Sequence, residues 1–395
     1  MIKLHQGDCR EVLAKLPAES VQTCVTSPPY YGLRAYLPDG HPDKASEIGL
    51  EQSPAEYVAQ LVDVFREVRR VLRTDGCVFL NLGDSYAGSW GAQGHRDSST
   101  NGQVISRNQI KNHPKRASNT GRIAPGWGLK PKDLMLIPAR VAIALQDAGW
   151  WIRSEIIWSK SAPMPESVRD RPTCAHEKVW LLTKASTYFY DADAVKEQAV
   201  SDHASGNGYK RPEQLSKDGR GDNKPWTDVG GLRNLRNVWH LNPEPFPGAH
   251  FATMPATLAE RCIKAGTSER GCCPHCGAPW SRDVERLTEN MSNAAKAGTQ
   301  IVGKGHPSSQ IRSGHDIRNG PTSRVTTLGW SPSCACPERD PVPCTVLDPF
   351  AGAGTTLLVA DRLQRHAVGI ELNTDYCDLI RKRLAADAPL LSEVA

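Results

Sequence analysis

A short motif near the N-terminus carries residue types that could act on an amino group. The motif is Ser27-Pro28-Pro29-Tyr30, and it directly follows a stretch typical of a buried strand. Two successive prolines lack backbone N–H groups, so the corner offers carbonyl acceptors, to which the Ser27 hydroxyl adds one more. The amine of a nucleobase is a poor nucleophile because its lone pair is delocalised into the ring. Acceptors at Ser27 and at the Pro28 carbonyl would return electron density to that nitrogen while Tyr30 stacks on the base. On the motif alone, a bend with a surface aromatic is the alternative interpretation.

A glycine-rich motif near the C-terminus has the features of a nucleoside site. Residues 348–356 begin with Asp348-Pro349-Phe350 and contain Gly352 and Gly354, between a predicted strand and a predicted helix. No Gly-Lys-Ser/Thr follows, and the third glycine of the dinucleotide fingerprint is missing. Glu371 lies twenty-three residues after Asp348, at the end of the next predicted strand. An acid at that position can accept both hydroxyls of a ribose. A tight structural turn with an incidental surface Glu is the alternative.

Four cysteines have the spacing of a zinc site. Cys273 and Cys276 form a Cys-x-x-Cys-Gly knuckle, and Cys334 and Cys336 follow after a gap of fifty-seven residues. That gap is longer than the usual about 15 to 20 residues of a zinc ribbon, so free cysteines or a disulfide remain alternatives. Cys272, His275 and Cys262 are substitute ligands.

The elements that must position these motifs alternate between strand and helix, which predicts an α/β fold with a mostly parallel sheet. The predicted strands cover residues 2–5, 21–26, 77–82, 151–158, 178–183, 345–347 and 367–372. The predicted helices cover residues 9–16, 54–72, 133–148, 355–363 and 375–385.

Composition and charge limit the class of protein. The 395 residues contain no apolar run of about twenty residues, so no membrane span is predicted. The N-terminus offers no secretory h-region, and we expect a cytoplasmic protein. The net charge is +5, but residues 94–132 hold eight Lys or Arg against one acid. Such a segment is either a solvated loop or one that orders on a phosphate backbone.

Taken together, the motifs resemble the amino-directed DNA methyltransferases, and their order resembles the β group of that family. In that group the Ser/Asp-Pro-Pro-Tyr motif lies near the N-terminus and the S-adenosylmethionine motif near the C-terminus. Further similar segments are Gly7-Asp8, 76–86, 156–184, 237–239 and 250–255. The resemblance implies a Rossmann-like methyltransferase with a seven-stranded, mostly parallel sheet in circularly permuted motif order, and the cysteines add a small zinc-binding insert.

The resemblance also implies roles for individual residues. The catalytic residues would be Ser27, Pro28, Pro29 and Tyr30, holding a flipped-out target amine in line with the methyl group of the donor. The residues that bind S-adenosylmethionine would be Asp8, Asp348, Phe350, Gly352, Gly354, Thr355, Glu371 and Phe251. Structural zinc would be bound by Cys273, Cys276, Cys334 and Cys336.

The expected substrate is double-stranded DNA, with no membrane partner and with a homodimer left open. In this family the Ser form of the catalytic motif is associated mainly with cytosine N4, and adenine N6 is the alternative target. A cytosine-C5 mechanism would need a Pro-Cys motif at the active corner, and only Pro343-Cys344 keeps it open. A noncatalytic DNA-binding module, or methylation of RNA or of a protein glutamine, are alternatives from other classes.

The predicted organisation follows from these assignments. Residues 1–93 would form the catalytic half of the core, 94–132 a basic mobile loop, 133–200 the core continuation, and 201–236 a flexible loop for target recognition. Residues 237–268 would form the cofactor-pocket segment, 269–340 the zinc-ribbon-like insert, and 341–395 the S-adenosylmethionine-binding half of the core.

Overall fold

The structure is a computed structural model of the 395-residue chain. It describes residues 1–33, 35–87, 129–130, 132–163, 165–166, 168–198, 232–244, 253–289, 322–337 and 339–387. The predicted loops 94–132 and 201–236 lie almost entirely outside these residues, and so does Phe251.

One large sheet organises the core. Its strands are β1 (Ile2–Gln6), β2 (Val21–Thr26), β3 (Leu72–Leu82), β4 (Trp151–Ser159), β5 (His176–Thr183), β8 (Val238–His240), β11 (Thr345–Asp348) and β12 (His366–Glu371). Their order is β1-β12-β11-β2-β3-β5-β4-β8. The pairs from β1 to β3 are all parallel, whereas β5 runs antiparallel to both neighbours. This confirms the predicted mostly parallel α/β fold, and the three-residue β8 brings the described sheet to eight strands.

Helices cover both faces of this sheet. They are α1 (Cys9–Lys15), α2 (Pro54–Val71), α3 (Ile137–Asp147), α4 (Ala256–Gly266), α5 (Thr355–Arg362) and α6 (Thr374–Asp387). On one face, buried side chains of α1, α2 and α3 pack with alternate residues of β2 and β3, such as Cys24 and Val78. On the other face, Gly266 of α4 lies so close to β2 and β3 that an added Cβ would be 2.4 Å from the Thr23 hydroxyl. Because both faces are covered, β2 is buried along its whole length, as expected for a parallel strand.

The element boundaries follow local sequence signals closely. Ser53 caps α2 by accepting a hydrogen bond of 3.2 Å from the Glu56 backbone N–H, and Pro54 occupies the first turn. The strand β3 begins at Leu72, five residues earlier than predicted, because Leu72 already pairs with Val21 of β2. Because the residues that follow Leu72 are polar, the sequence pattern does not indicate that the strand starts there.

The chain divides into two compact units. The first comprises Met1–Asp191, Arg236–Trp280 and Pro332–Ala395 and contains the sheet. The second comprises Ala192–Leu235 and Ser281–Ser331. Its described elements are the pair β6 (Glu197–Gln198) and β7 (Leu232–Arg233), and most of the pair β9 (Trp280–Glu289) and β10 (Thr322–Pro332). None of the helices in the described ranges has both the length and the apolar character that a membrane span requires.

Candidate active site

The two sequence motifs from opposite ends of the chain line a single cavity of about 320 Å³. The sheet order explains this meeting, because β11 lies between β12 and β2 and all three strands run parallel. Their carboxyl ends therefore form one edge, which is where open α/β sheets bind ligands. The cavity lining includes Asp8, Ser27, Pro28, Pro29, Tyr30, Asp348, Phe350, Gly352, Thr355 and Glu371.

Glu371 is the last residue of β12 and is held by the glycine turn opposite. One carboxylate oxygen accepts a hydrogen bond of 2.8 Å from the Gly352 backbone N–H, and the other accepts one of 2.9 Å from Asn373 N–H. Burial raises the pKa of Glu371 to about 7, with a smaller contribution from the charge of Asp348. Each carboxylate oxygen can accept about two hydrogen bonds, so both oxygens keep capacity for further donors.

Asp348 ends the neighbouring strand β11 and is buried. Its Oδ1 accepts hydrogen bonds of 2.6 Å from the Thr26 hydroxyl and 3.1 Å from the Phe350 backbone N–H. The Thr26 contact ties the C-terminal motif to the residue directly before Ser27. Burial raises the pKa of Asp348 to about 6 despite these hydrogen bonds.

Asp8 lies beside this acidic pair but is already partnered. Its carboxylate caps α1 at the Arg10 backbone N–H and binds the Arg10 guanidinium, with 2.5 Å between Oδ2 and Nη2. The preceding residue, Gly7, has φ of 139° and donates a backbone hydrogen bond of 2.9 Å to the Glu371 carbonyl. The predicted Gly7-Asp8 segment therefore contacts the end of β12 directly.

Of the two glycines predicted to bind the cofactor, Gly352 lines the cavity and Gly354 does not. Gly354 is the N-cap residue directly before α5 and has φ of 74°. A Cβ at Gly354 would be 2.8 Å from Cγ1 of Ile380, so the absence of a side chain here allows α5 to pack on α6.

The Ser27-Pro28-Pro29-Tyr30 corner forms the other side of the cavity. The Tyr57 hydroxyl donates a hydrogen bond of 2.8 Å to the Pro29 carbonyl, which fixes the corner on α2. The Tyr30 ring lies against the backbone of Gly83, where an added Cβ would be 2.5 Å from the ring. This contact sets the plane of Tyr30, and a glycine is required at position 83 for that reason.

Two cavity residues that the sequence analysis did not assign, Asn81 and Glu177, surround the Tyr30 hydroxyl. Tyr30 donates a hydrogen bond of 2.5 Å to Glu177 Oε2, and Asn81 Nδ2 donates one of 3.1 Å to the same oxygen. Lys160 forms an ion pair with the other oxygen of Glu177. The only signal in the sequence was that Asn81 and Glu177 fall inside segments 76–86 and 156–184 of the resemblance.

The four predicted zinc-site cysteines come together. The sulfur atoms of Cys273, Cys276, Cys334 and Cys336 all lie within 4.8 Å of one another. Backbone N–H groups of the knuckle, first that of Cys276, lower the pKa of Cys273 to about 7, which favours the thiolate that zinc binds. The substitutes Cys272, His275 and Cys262 are not part of the cluster, and Cys262 is fully buried in α4.

The knuckle docks on the core at the amino ends of two strands. Gln22, the second residue of β2, donates a hydrogen bond of 3.1 Å to the Gly277 carbonyl. Arg73, the second residue of β3, donates to the Cys276 carbonyl. Since the cavity lies at the carboxyl ends of the strands, the cysteine cluster is at the opposite edge of the sheet.

The sequence profile of the N6/N4 DNA methylase family matches residues 21–274 and 344–382. The chain belongs to this family. The type II methyltransferase M.Cfr9I of Citrobacter freundii is 34% identical over 384 residues, covering 97% of this chain and 88% of the relative. M.SmaI of Serratia marcescens is 33% identical over 382 residues, covering 97% of this chain and 90% of the relative.

A solved structure shows the same fold. The PvuII cytosine-N4-specific DNA methyltransferase superimposes with a TM-score of 0.50 at 16% identity, covering all of this chain and 88% of that chain. Family membership confirms the predicted enzyme class: the chain is an S-adenosylmethionine-dependent DNA methyltransferase directed at an amino group, and DNA is its substrate.

Proposed function

We propose that this methyltransferase acts on the N4 amine of a cytosine flipped out of double-stranded DNA. The observation that carries the proposal is the single cavity lined by both the Ser27 corner and the Asp348–Glu371 acidic pair. A donor bound at one side and an amine bound at the other would be within reach of each other.

The residues on the acidic side fit the methyl donor. Glu371 keeps two acceptor positions, the number that a ribose with two hydroxyls needs, and Gly352 exposes its backbone beside them. We assign Asp8 and Phe350 to the adenosine part, and Asp348 to the amino group of the methionine part. The cavity volume falls within the ordinary range for small-molecule sites. When bound, S-adenosylmethionine supplies an electrophilic methyl group on a sulfonium.

The residues on the corner side would bind the amine. The Pro29 carbonyl is taken by Tyr57, so we assign the two amine hydrogens to Ser27 Oγ and to the Pro28 carbonyl. Accepting both hydrogens raises the electron density on the nitrogen, and the Tyr30 ring holds the base by stacking. No covalent bond between the enzyme and the base is required, which is why we do not assign Cys344 a role; it lies fully buried before β11.

Cytosine is favoured by Ser27, because the Ser form of the motif in the resembled family is associated mainly with cytosine N4. The test is to incubate the protein with methyl-labelled S-adenosylmethionine and duplex DNA from a host without DNA methylation, and then to separate the nucleosides. We expect labelled N4-methylcytosine, and none with the Ser27→Ala variant. Labelled N6-methyladenine would refute the base assignment. RNA and protein are incubated in parallel, and label in either of them but not in DNA would refute the proposal as a whole.

We further propose that the four clustered cysteines bind one structural zinc ion. Four thiolates at this mutual distance suit a tetrahedral zinc, and a closed four-ligand set is typical of structural rather than catalytic sites. The predicted division into core halves, basic loops and a zinc-bearing insert is retained as part of this proposal, with the loops 94–132 and 201–236 assigned to DNA contact.

A further inference from the structure

The proposed role of Ser27 raises a question of hydrogen-bond direction. A serine hydroxyl has one proton and two lone pairs, so it can donate or accept. To draw electron density toward a target amine, Ser27 Oγ must accept from that amine. The Ser27 hydroxyl proton must therefore be donated to a different acceptor, and the neighbours of the hydroxyl determine whether such an acceptor is present.

Tyr30 provides that acceptor. The Ser27 hydroxyl donates to the Tyr30 oxygen over 3.4 Å, and the Tyr30 hydroxyl in turn lies 2.5 Å from Glu177 Oε2. Tyr30 has one proton, and the amide oxygen of Asn81 is farther away, at 3.3 Å. The short contact with a carboxylate takes the proton, because a charged acceptor binds more strongly than an amide oxygen. Burial, together with the charge of Glu177, raises the pKa of Tyr30 well above its usual value, so the phenol keeps its proton.

Glu177 is itself held as an acceptor by its other neighbours. Lys160 pairs with Oε1, and Asn81 Nδ2 donates to Oε2. The side chains of Lys160 and Glu177 are 20% and 12% exposed, so the pair is largely shielded from water. The described side chains that contact the carboxylate, those of Tyr30, Asn81 and Lys160, all donate to it, which keeps the Tyr30 hydroxyl proton directed at Glu177.

We propose that Glu177 is a positioning residue which, through the Tyr30 hydroxyl, fixes the Ser27 hydroxyl as an acceptor for the target amine. The chain of donors then runs in one direction, from the amine to Ser27, to Tyr30 and to Glu177. This inference rests on the proposed role of the corner, but not on which of the two bases is the target, since both present an amine beside a ring nitrogen.

The test is a double-mutant cycle on the rate of a single turnover, with labelled S-adenosylmethionine and duplex DNA from a host without methylation. Tyr30→Phe removes the link between Ser27 and Glu177. Glu177→Gln weakens the relay, because an amide oxygen accepts less strongly than a carboxylate and the amide nitrogen can donate to Tyr30 instead. We expect each variant to lower the rate by roughly tenfold to a hundredfold. Combined, they should cost no more than about twofold beyond the worse single variant, because both act on one relay. Affinity for S-adenosylhomocysteine should change by less than about twofold.

A second substitution, at position 27, distinguishes this positioning role of Glu177 from a purely structural role. The amide oxygen of an asparagine at position 27 carries no proton, so it accepts from the target amine without needing Tyr30 to take one, and Glu177→Gln should cost less than about threefold in a Ser27→Asn background. The matched control is Glu155→Gln, which breaks the neighbouring ion pair between Glu155 and Lys178, outside the cavity lining. It should leave the rate unchanged.

Three outcomes would overturn the inference: additive losses in the double variant, equal losses with Ser and with Asn at position 27, or a near-normal rate for Tyr30→Phe. The last is readable even if Glu177→Gln does not fold, because Phe keeps the ring against Gly83. N6-methyladenine in the wild-type product would refute the proposed base and leave this test intact, whereas an active Ser27→Ala variant would refute the corner itself.

Discussion

The raised pKa of Glu371 predicts a pH dependence of donor binding. In the free protein this carboxyl has a pKa of about 7 because it is buried, so it holds a proton below that pH. Ribose hydroxyls that donate to both carboxylate oxygens require the ionised form. Binding must therefore release the proton, and the affinity must fall as the pH falls through 7.

The magnitude follows from the ionised fraction. With a pKa of about 7, that fraction falls from roughly 0.9 at pH 8 to roughly 0.25 at pH 6.5, a loss of about fourfold in affinity or about 0.8 kcal/mol. Asp348, with a pKa of about 6, adds a loss of only about 1.3-fold at pH 6.5 and a larger one at lower pH. Titration calorimetry with S-adenosylhomocysteine measures this, and in buffers of different ionisation enthalpy it should show release of about 0.75 proton from Glu371 at pH 6.5.

Glu371→Gln is the control, because an amide of the same shape cannot titrate. The variant should bind more weakly at pH 8, since charge-assisted hydrogen bonds are lost, and its affinity should change by less than about 1.5-fold between pH 8 and 6.5, because only Asp348 still titrates. A wild-type affinity that is flat over this range would refute the assignment of Glu371 to the ribose. So would a Gln variant that keeps the pH dependence, because another group would then be titrating.

Three further predictions concern the corner and the cysteines. Ser27→Ala and Tyr30→Ala should abolish methyl transfer yet keep S-adenosylhomocysteine affinity within about twofold, because both residues face the amine; weakened cofactor binding would contradict this. Gly83→Ala should lower the transfer rate in a folded protein, since its Cβ would displace the Tyr30 ring, and an unchanged rate would show that the ring is free to move. Metal analysis should find one zinc per chain, and the Cys273→Ser variant should lose it. This variant should keep cofactor binding but lose DNA affinity or sequence preference. Full DNA binding without zinc would refute a role of the zinc in DNA recognition.

Local signals were sufficient for most of the fold and for the two motifs. The apolar run of β2 gave its boundaries correctly, and the helical spacing of α2 gave its end within one residue. The proximity of the glycine turn to Glu371 was predictable because a strand, a glycine turn and an acid have a fixed order in such folds. These signals lie within a few residues of the groups they position.

Contacts between distant strands were not predictable in the same way. Glu177 meets Tyr30 only because β5 pairs with β3 at Asn81, a register that depends on packing across the whole sheet. The residue lies 147 positions from Tyr30, and no spacing in the sequence links them. The docking of the cysteine knuckle on Gln22 and Arg73 depends equally on sheet order.

The position of the knuckle indicates what the proposed zinc does for this permuted chain. Gln22 lies five residues before Ser27, so the cluster is about 17 Å along β2 from the catalytic corner and outside the chemistry. The strand β11 must nevertheless enter the middle of the sheet after an insertion of fifty-seven residues between Cys276 and Cys334. In an unfolded chain, bringing together two ends separated by that many residues costs about 3.6 kcal/mol of entropy. A zinc ion that joins both ends of the insertion beside β2 and β3 would offset part of this cost, and would thereby stabilise the entry of β11 between β2 and β12 without being required for it.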